Sequence, residues 1–167
     1  MTTIYVNHKL GVVMTDTRTT TTVQETFLGI PIATYDTFND DGVKAINVHD
    51  RIFVESGSCE ESTKILQYLA HGTPIKPAPK KYKLLSNCFL VDKNWLLQIY
   101  IQKGKVHKRF HVVKEDSWYC TGSGSNALYE ALKVYDFKPT LEEAISAFKT
   151  VHFSDRFTSN QVLIYKI

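Results

Sequence analysis

The chain starts Met-Thr-Thr, which places a threonine where it could become the first residue of a mature protein. Thr2 is small, and a small second residue is the kind that allows an aminopeptidase to remove Met1. Removal would leave a free α-amine beside the Thr2 hydroxyl, and a threonine paired with its own amine is a known nucleophile–base unit. Taken alone, Met-Thr-Thr is better explained as an ordinary protein start, so the rest of the sequence has to decide.

Length and composition predict a single globular domain, residues 1–167. Hydrophobic residues make up 43% and charged residues 22%, which are ordinary values for a chain that buries a core. No apolar run approaches the roughly 18 residues of a membrane span, and no secretory signal is indicated. The three cysteines are odd in number and far apart, so they predict neither a disulfide framework nor a metal knuckle: Cys59, Cys88 and Cys120. We expect a cytoplasmic protein with no membrane partner.

Charge and histidine patterns predict neither a nucleic-acid partner nor a metal. A net charge of +3 is too small to indicate nucleic acid. Basic residues gather in two groups, which solvated faces explain more often than phosphate tracks: Lys76, Lys80, Lys81 and Lys83, then Lys103, Lys105, Lys108 and Arg109. His107 and His111 would share one face of a strand, but a third zinc ligand has no evident source. We expect no cofactor.

The first half of the sequence is rich in strand patterns. TIYV and VVM flank a turn that ends at Gly11, and two extended segments follow, TRTTTTVQETF and IPIATYDTFNDDG. VKAINV and RIFVE predict a hairpin that turns at His49-Asp50. Ser58 and Glu61 then have capping-box spacing before a helical stripe that Gly72 ends.

The second half predicts an antiparallel meander, two helices and a closing strand. TPIKPAPKKY contains three prolines, which exclude a regular helix or a central strand. LLSNCFLV, WLLQIYIQ and VHKRFHVV follow with turns between them. GSGSNALYEALKVY and the stretch after Thr140, which has a second capping box with Glu143, have helical periodicity. NQVLIYKI is the closing strand.

Five short motifs, in this order, carry a resemblance to the β-type subunits of proteasomes. MTTI with GVVMTDTR is similar to the start of that family, and is closest in style to the bacterial proteasome-like peptidase that works with an unfolding ATPase. VKAINV resembles the segment with the active-site lysine, and VESGSCEES resembles the strand end and glycine before the first helix. CTGSGSNA and FSDRFTSN resemble the Gly-Ser-Gly turn and the acidic loop before the last strand. The corresponding residues are Asp16, Lys44, Gly57, Ser123, Asp155 and Thr158.

The resemblance implies a role for each of these residues around Thr2. Lys44 would be a cation near the hydroxyl, held in place by Asp16, and the Gly57 N–H would bind the oxyanion. The neutral α-amine would take the hydroxyl proton, through a water that three other side chains would surround: Ser123, Asp155 and Thr158. Taken singly, each has an ordinary explanation as turn residue, exposed lysine, helix start or loop cap. Taken jointly, the active-site interpretation is favoured.

The resemblance also implies an α+β fold, a four-layer αββα sandwich of two antiparallel sheets between helix layers. Two departures from the family are visible. More residues separate Asp16 from Lys44 than is usual, so an insertion lies within residues 19–42. The second helix is shortened or lost, because TPIKPAPKKY and the next strand take its place.

The resulting hypothesis is a threonine endopeptidase that cleaves peptides or unfolded proteins inside a self-compartmentalised homo-oligomeric ring, with an ATP-dependent unfoldase as a candidate partner. One alternative is an amidase that acts on a small amide, because one fold hosts several chemistries. The other is a silent binding or regulatory subunit. The silent α-type subunits of the family have a helix ahead of the first strand. This chain begins at the strand, which counts against the alternative.

Glu55 is the candidate for specificity. The family residue two before the strand-end glycine lies near the pocket for the side chain that precedes the cleaved bond, and Glu55 has this position here. Alternation places Glu55 on one face with Phe53 and Gly57. A carboxylate there would select lysine or arginine. The alternative is an internal pair between Glu55 and a lysine such as Lys44.

Overall fold

The fold is α+β, with antiparallel sheets and three helices in the part of the chain that this computed structural model describes: residues 2–57, 59–72, 87–102, 105–114 and 116–167. The strands are β1 (Thr3–Asn7), β2 (Val12–Asp16), β3 (Thr19–Phe27), β4 (Ile30–Asn39), β5 (Ala45–Val48), β6 (Arg51–Ser56), β7 (Asn87–Val91), β8 (Trp95–Gln102), β9 (Lys105–Val112), β10 (Trp118–Gly122) and β11 (Val162–Lys166). The helices are α1 (Cys59–His71), α2 (Ser125–Lys133) and α3 (Leu141–Thr150), and a 3₁₀ turn follows at Val151–Phe153.

A four-stranded antiparallel sheet brings the start of the chain beside its end. Its order is β10-β1-β2-β11, with Thr3 opposite Gly122 and Asp16 opposite Val162. The β1–β2 turn ends at Gly11, whose φ of 65° suits glycine. Both strands of the predicted first hairpin are therefore present, and every residue of β1 and β2 is buried.

A five-stranded sheet contains the other strands of the body in sequence order, β5-β6-β7-β8-β9. It is an antiparallel meander. The predicted hairpin supplies β5 and β6, the predicted three-stranded meander supplies β7, β8 and β9, and the pairing of β6 with β7 joins the two. His49 makes the β5–β6 turn with a φ of 55°.

Three hydrophobic clusters connect the sheets and helices. One joins the two sheets and includes Ile4, Val13 and Phe89. The opposite face of the four-stranded sheet packs Tyr5 and Met14 on α2 and α3. The opposite face of the five-stranded sheet packs on Ile65 of α1, through Phe53, Cys88, Leu90 and Ile99. Each fully buried large side chain stabilises the fold by about 1.5–3 kcal/mol.

The helix ends follow the sequence signals where they are described. Thr140 accepts a hydrogen bond from the Glu143 N–H, and the Glu143 carboxylate accepts one from the Thr140 N–H, so this capping box is confirmed. Gly72 ends α1 with a φ of 67°. Ser58, the proline-rich segment and the 103–104 turn lie outside the described residues, and so does most of the region where the second helix was predicted to be lost.

The remaining two strands, β3 and β4, form a separate hairpin, which we call the arm (residues 19–39). It coincides with the insertion predicted within residues 19–42. Leu28 and Gly29 make its turn with φ values of 53° and 78°, which are typical of the two-residue turn that matches the twist of the flanking strands.

None of the helices in the described residues is long and apolar enough to span a membrane.

Candidate active site

Thr2 lies where the start of β1 meets the end of β10. Its carbonyl oxygen accepts a hydrogen bond of 3.1 Å from the Ser123 N–H, and Thr2 is only 5% exposed. This contact requires glycine at position 122, because Gly122 has a φ of 100° and an added Cβ would lie 1.5 Å from the Thr2 oxygen. The backbone around Thr2 is therefore fixed by its neighbours.

A buried ion pair lies directly beside this terminus. The Lys44 Nζ donates to Asp16 Oδ2 over 2.8 Å, and the two side chains are 5% and 0% exposed. Asp16 also accepts the Thr3 N–H at Oδ1 (2.7 Å) and the Arg18 N–H at Oδ2 (2.9 Å). Lys44 is thus not a surface lysine, and one carboxylate connects its ammonium to the peptide unit between Thr2 and Thr3.

A second hydrogen-bonded group is built around Asp155. Its Oδ2 accepts from Ser123 Oγ (2.6 Å) and Thr158 Oγ1 (2.7 Å), and its Oδ1 accepts from the Phe157 N–H (3.1 Å). Burial alone would raise the pKa of Asp155, but these three hydrogen bonds outweigh burial and hold the pKa below its usual range. Asp155 is therefore an anion at neutral pH.

The two groups meet at Thr3. The Thr3 N–H bonds Asp16, and the Thr3 Oγ1 lies 2.7 Å from the Thr158 Oγ1 and 3.2 Å from the Gly124 nitrogen, which donates to it. A continuous set of hydrogen bonds thus runs from the buried ion pair past the chain start to Asp155. It joins six of the seven residues that the motifs indicate: Thr2, Asp16, Lys44, Ser123, Asp155 and Thr158.

Gly57 and Glu55 reach this group through their strand. The Glu55 N–H donates to the Lys44 carbonyl over 2.9 Å, so the end of β6 is tied to the segment before β5. Gly57 follows β6 with a φ of 111°, a conformation that glycine adopts readily and other residues do not. Its backbone is exposed.

The half-buried Glu55 lies opposite Cys88 on β7, and the neighbouring Phe53 packs beneath α1. Burial is the main cause that raises the pKa of Cys88 to about 12. A hydrogen bond involving Ser62 lowers this pKa, and the nearby charge of Glu55 raises it further. Cys88 is therefore a neutral thiol. Whether Glu55 contacts a substrate stays a prediction.

Arg18 is a residue of this region that the motifs did not indicate. Its guanidinium binds both oxygens of Asp40 at 2.6 and 2.7 Å, donates to the Arg156 carbonyl at 2.8 Å, and lies 5.3 Å from the centre of the Phe38 ring. It thereby fastens the base of the arm to the loop that contains Asp155. The available signal was its position two residues after Asp16.

Comparison with known proteins identifies the fold. No protein-family model matches the chain, and no curated protein matches it either. Among solved structures, the BPH protein of Thiobacillus denitrificans in complex with epoxomicin is similar, with a TM-score of 0.57 and 13% identity over 99% of this chain and 97% of that chain. HslV from Trypanosoma brucei is similar with a TM-score of 0.54 and 15% identity over 99% of both chains. These neighbours are proteasome-like peptidases, so the resemblance predicted from the five motifs is confirmed at the level of the fold.

Proposed function

We propose that this chain is an N-terminal threonine hydrolase, a threonine-type endopeptidase that cleaves peptide bonds with Thr2. The observation that carries the proposal is the buried pair of Lys44 and Asp16, hydrogen-bonded to the peptide unit of Thr2. A buried charge pair loses solvation and is poor evidence for stability alone, so a chemical use is a better reason for its presence. The pair lies at the end of the chain where the family fold has its nucleophile.

In the proposed mechanism, the residue ahead of Thr2 is removed and the freed α-amine is the base. The neutral amine takes the Thr2 hydroxyl proton through a water, and the hydroxyl oxygen then attacks the substrate carbonyl carbon. Lys44 favours the developing negative charge on that oxygen, and the Gly57 N–H binds the oxyanion; loss of one such donor typically slows an enzyme about 10²–10³-fold. The leaving amine takes the proton, and water then releases the acyl group from Thr2.

The Asp155 group would orient the amine in this mechanism. Asp155 is anionic, and its two hydroxyl partners, Ser123 and Thr158, are held within 2.7 Å of its Oδ2. An anion beside an amine favours the protonated amine, whereas Lys44 opposes it. The balance of the two charges would keep the amine pKa near the working pH.

The proposal extends to architecture and assembly. The three hydrophobic clusters support a four-layer αββα sandwich in one domain, with α2 and α3 on one side and α1 on the other. Proteasome-fold neighbours support a homo-oligomeric ring with peptide or unfolded-protein substrates. A cytoplasmic location and an ATP-dependent unfoldase partner remain part of the proposal.

Two other functions are possible for a protein of this fold. An amidase for a small substrate would use the same Thr2 chemistry, and a silent regulatory protein would use none. Neither alternative has an observation in its favour among the described residues. Six of the seven residues indicated for the peptidase lie in one hydrogen-bonded group, which a silent protein would not need.

Turnover of Thr2 variants tests the proposal. We expect Thr2→Ala to abolish cleavage of fluorogenic peptides and of unfolded casein, while Thr2→Ser keeps measurable activity because it retains a hydroxyl and an amine. Thr150→Ala, at the exposed end of α3, is the matched control and should behave as wild type. Full activity of Thr2→Ala would overturn the mechanism, and Thr2-dependent turnover of small acyl amides without peptide cleavage would favour the amidase.

A further inference from the structure

The arm exposes an apolar surface near its tip. Leu28 is 86% exposed, Phe27 and Ile30 are both 66% exposed, and Ile32 is 63% exposed. Phe27 pairs directly with Ile30, and the bulge after Glu25 shifts the strand register so that β4 has one extra residue at this point. Directly paired residues share a face of a hairpin, so Phe27 and Ile30 form one continuous apolar face there.

This surface is large for an isolated hairpin. Strands of nine and ten residues extend about 30 Å, and a two-stranded hairpin is marginally stable in water without a further strand or a helix to cover it. At ~150–250 Å² for a large side chain, the exposed fractions of these four residues amount to on the order of 400–700 Å² of apolar area. A stable interface buries about 800 Å² on each partner, so the tip supplies most of what one side of an interface needs.

The charge of the arm indicates which partner would cover it. Residues 19–39 contain two acidic side chains, Glu25 and Asp36, and no lysine or arginine, in a chain whose net charge is +3. Asp36 is paired with Arg156 at 3.0 Å at the base of the arm, whereas Glu25 lies nearer the tip. An acidic, apolar arm is complementary to the basic remainder of its own chain.

The β9 strand offers a matching surface. Its sequence, KVHKRFHV, has three lysine or arginine residues and no acid, and it is one of the two edge strands of the five-stranded sheet in the described residues. Phe110 and Val112 on this strand are 59% and 80% exposed, and the Phe110 ring lies 5.5 Å from the Trp95 ring. The Arg51 guanidinium lies over the Trp95 ring, 5.1 Å from its centre.

We infer that the arm of one copy of this chain docks on the β9 surface of a second copy, with its apolar tip against Phe110 and Val112. Glu25 would then lie beside Lys108, which is on the same face of β9 as Phe110 and Val112. The contact joins two different patches, so it repeats from copy to copy and closes into a ring where the rotation allows. The inference specifies the contact for the assembly proposed above, and rests on that part of the proposed function.

Association of the intact protein tests the inference, by light scattering after gel filtration and by sedimentation velocity. Phe27→Ser with Ile30→Ser removes the tip, and Phe110→Ser with Val112→Ser removes the receiving surface. Each pair should weaken association at least about 100-fold. Val134→Ser is the control, because Val134 is 81% exposed beyond the end of α2 and lies in neither patch.

Mixing the two double variants distinguishes this contact from any symmetric one. Each variant alone should be monomeric, but a mixture should form heterodimers, because one copy keeps its β9 surface and the other keeps its arm. A monomeric wild type, an arm variant that assembles like wild type, or a mixture that stays monomeric would each overturn the inference. Far-ultraviolet circular dichroism checks that every variant is folded.

The outcome is separable from that of the proposed chemistry. Association is measured without substrate, and a Thr2→Ala protein should assemble like wild type. Assembly without Thr2-dependent turnover would refute the peptidase alone. Thr2-dependent turnover by a wild-type monomer would refute the docking of the arm alone.

Discussion

Replacing Lys44 by alanine would leave the Asp16 carboxylate buried without its cation. Removing one partner of a buried ion pair typically costs 3–5 kcal/mol of folding free energy, because an uncompensated charge remains. Asp16 keeps two backbone N–H donors, from Thr3 and Arg18, so we expect a loss at the lower end, about 3 kcal/mol. For a chain of this length that corresponds to a fall of about 6–12 °C in Tm. Urea unfolding and calorimetry measure both quantities.

Three further variants separate charge from chemistry. Asp16→Asn with Lys44→Met removes both charges and should recover much of the stability, but not turnover. Lys44→Arg keeps the charge, yet the planar guanidinium has a different shape, so we expect no rescue of turnover. Lys64→Ala is the control, because its pair with Glu60 is on the surface and should change stability by less than about 1 kcal/mol.

Lys44→Ala should also be nearly as damaging to peptide turnover as loss of the nucleophile, because the hydroxyl would lose its cationic neighbour. A Lys44→Ala protein with wild-type stability and near-normal turnover would refute this reasoning. It would mean that the lysine of the family motif had been assigned wrongly across the insertion that forms the arm.

Four other results are expected. Turnover should rise with pH through an apparent pKa at or somewhat below that of a model α-amine, which is about 7.7–8.0. Acetylation of the mature N-terminus should abolish turnover at every pH, and activity after acetylation would indicate a side-chain base. Peptide libraries should show faster cleavage after lysine or arginine, and Glu55→Leu should reverse that order; a wild-type preference for large apolar residues would refute the role of Glu55. Gly122→Ala should disrupt folding and turnover, because its Cβ would overlap the Thr2 carbonyl. The control is Gly11→Ala, whose Cβ would meet no atom within 4 Å, so a urea titration should show only the smaller loss of stability that backbone strain causes. The pKa of Asp155 is lower in the folded state than in the unfolded state, so its ionised carboxylate stabilises the fold above the usual carboxyl pKa of about 3.9. This stabilisation is lost as the pH falls below that value. The urea midpoint of Asp155→Asn should therefore be lower than that of the wild type at pH 7, and the two midpoints should converge in acid.

Local signals in the sequence were sufficient for most of the secondary structure. Strand patterns in the sequence predicted every strand of the two sheets except β10, which was missed. The Thr140 capping box and Gly72 gave helix ends that the structure confirms. The α+β class with antiparallel sheets follows from this order of elements. The arm was predicted only as two extended segments within an insertion.

The features that the sequence did not reveal depend on contacts between residues far apart in the chain. The need for glycine at position 122 arises from the Thr2 carbonyl, which is 120 residues away but adjacent across β1 and β10. Arg18 gains its importance from Asp40 and Arg156, and neither partner is near it in sequence. The exposure of Phe27 and Ile30 contradicts their apolar character, so no periodicity rule could predict that the arm leaves the body.

The central claim is that Thr2 becomes an N-terminal nucleophile, and intact mass spectrometry tests it most directly. The protein is weighed before and after treatment with a peptide epoxyketone or a β-lactone, and the modified peptide is then sequenced. The proposed mechanism predicts that the mature chain lacks Met1 and gains one inhibitor per chain, attached at Thr2. A chain that retains Met1, or an inhibitor attached at another residue, would contradict it.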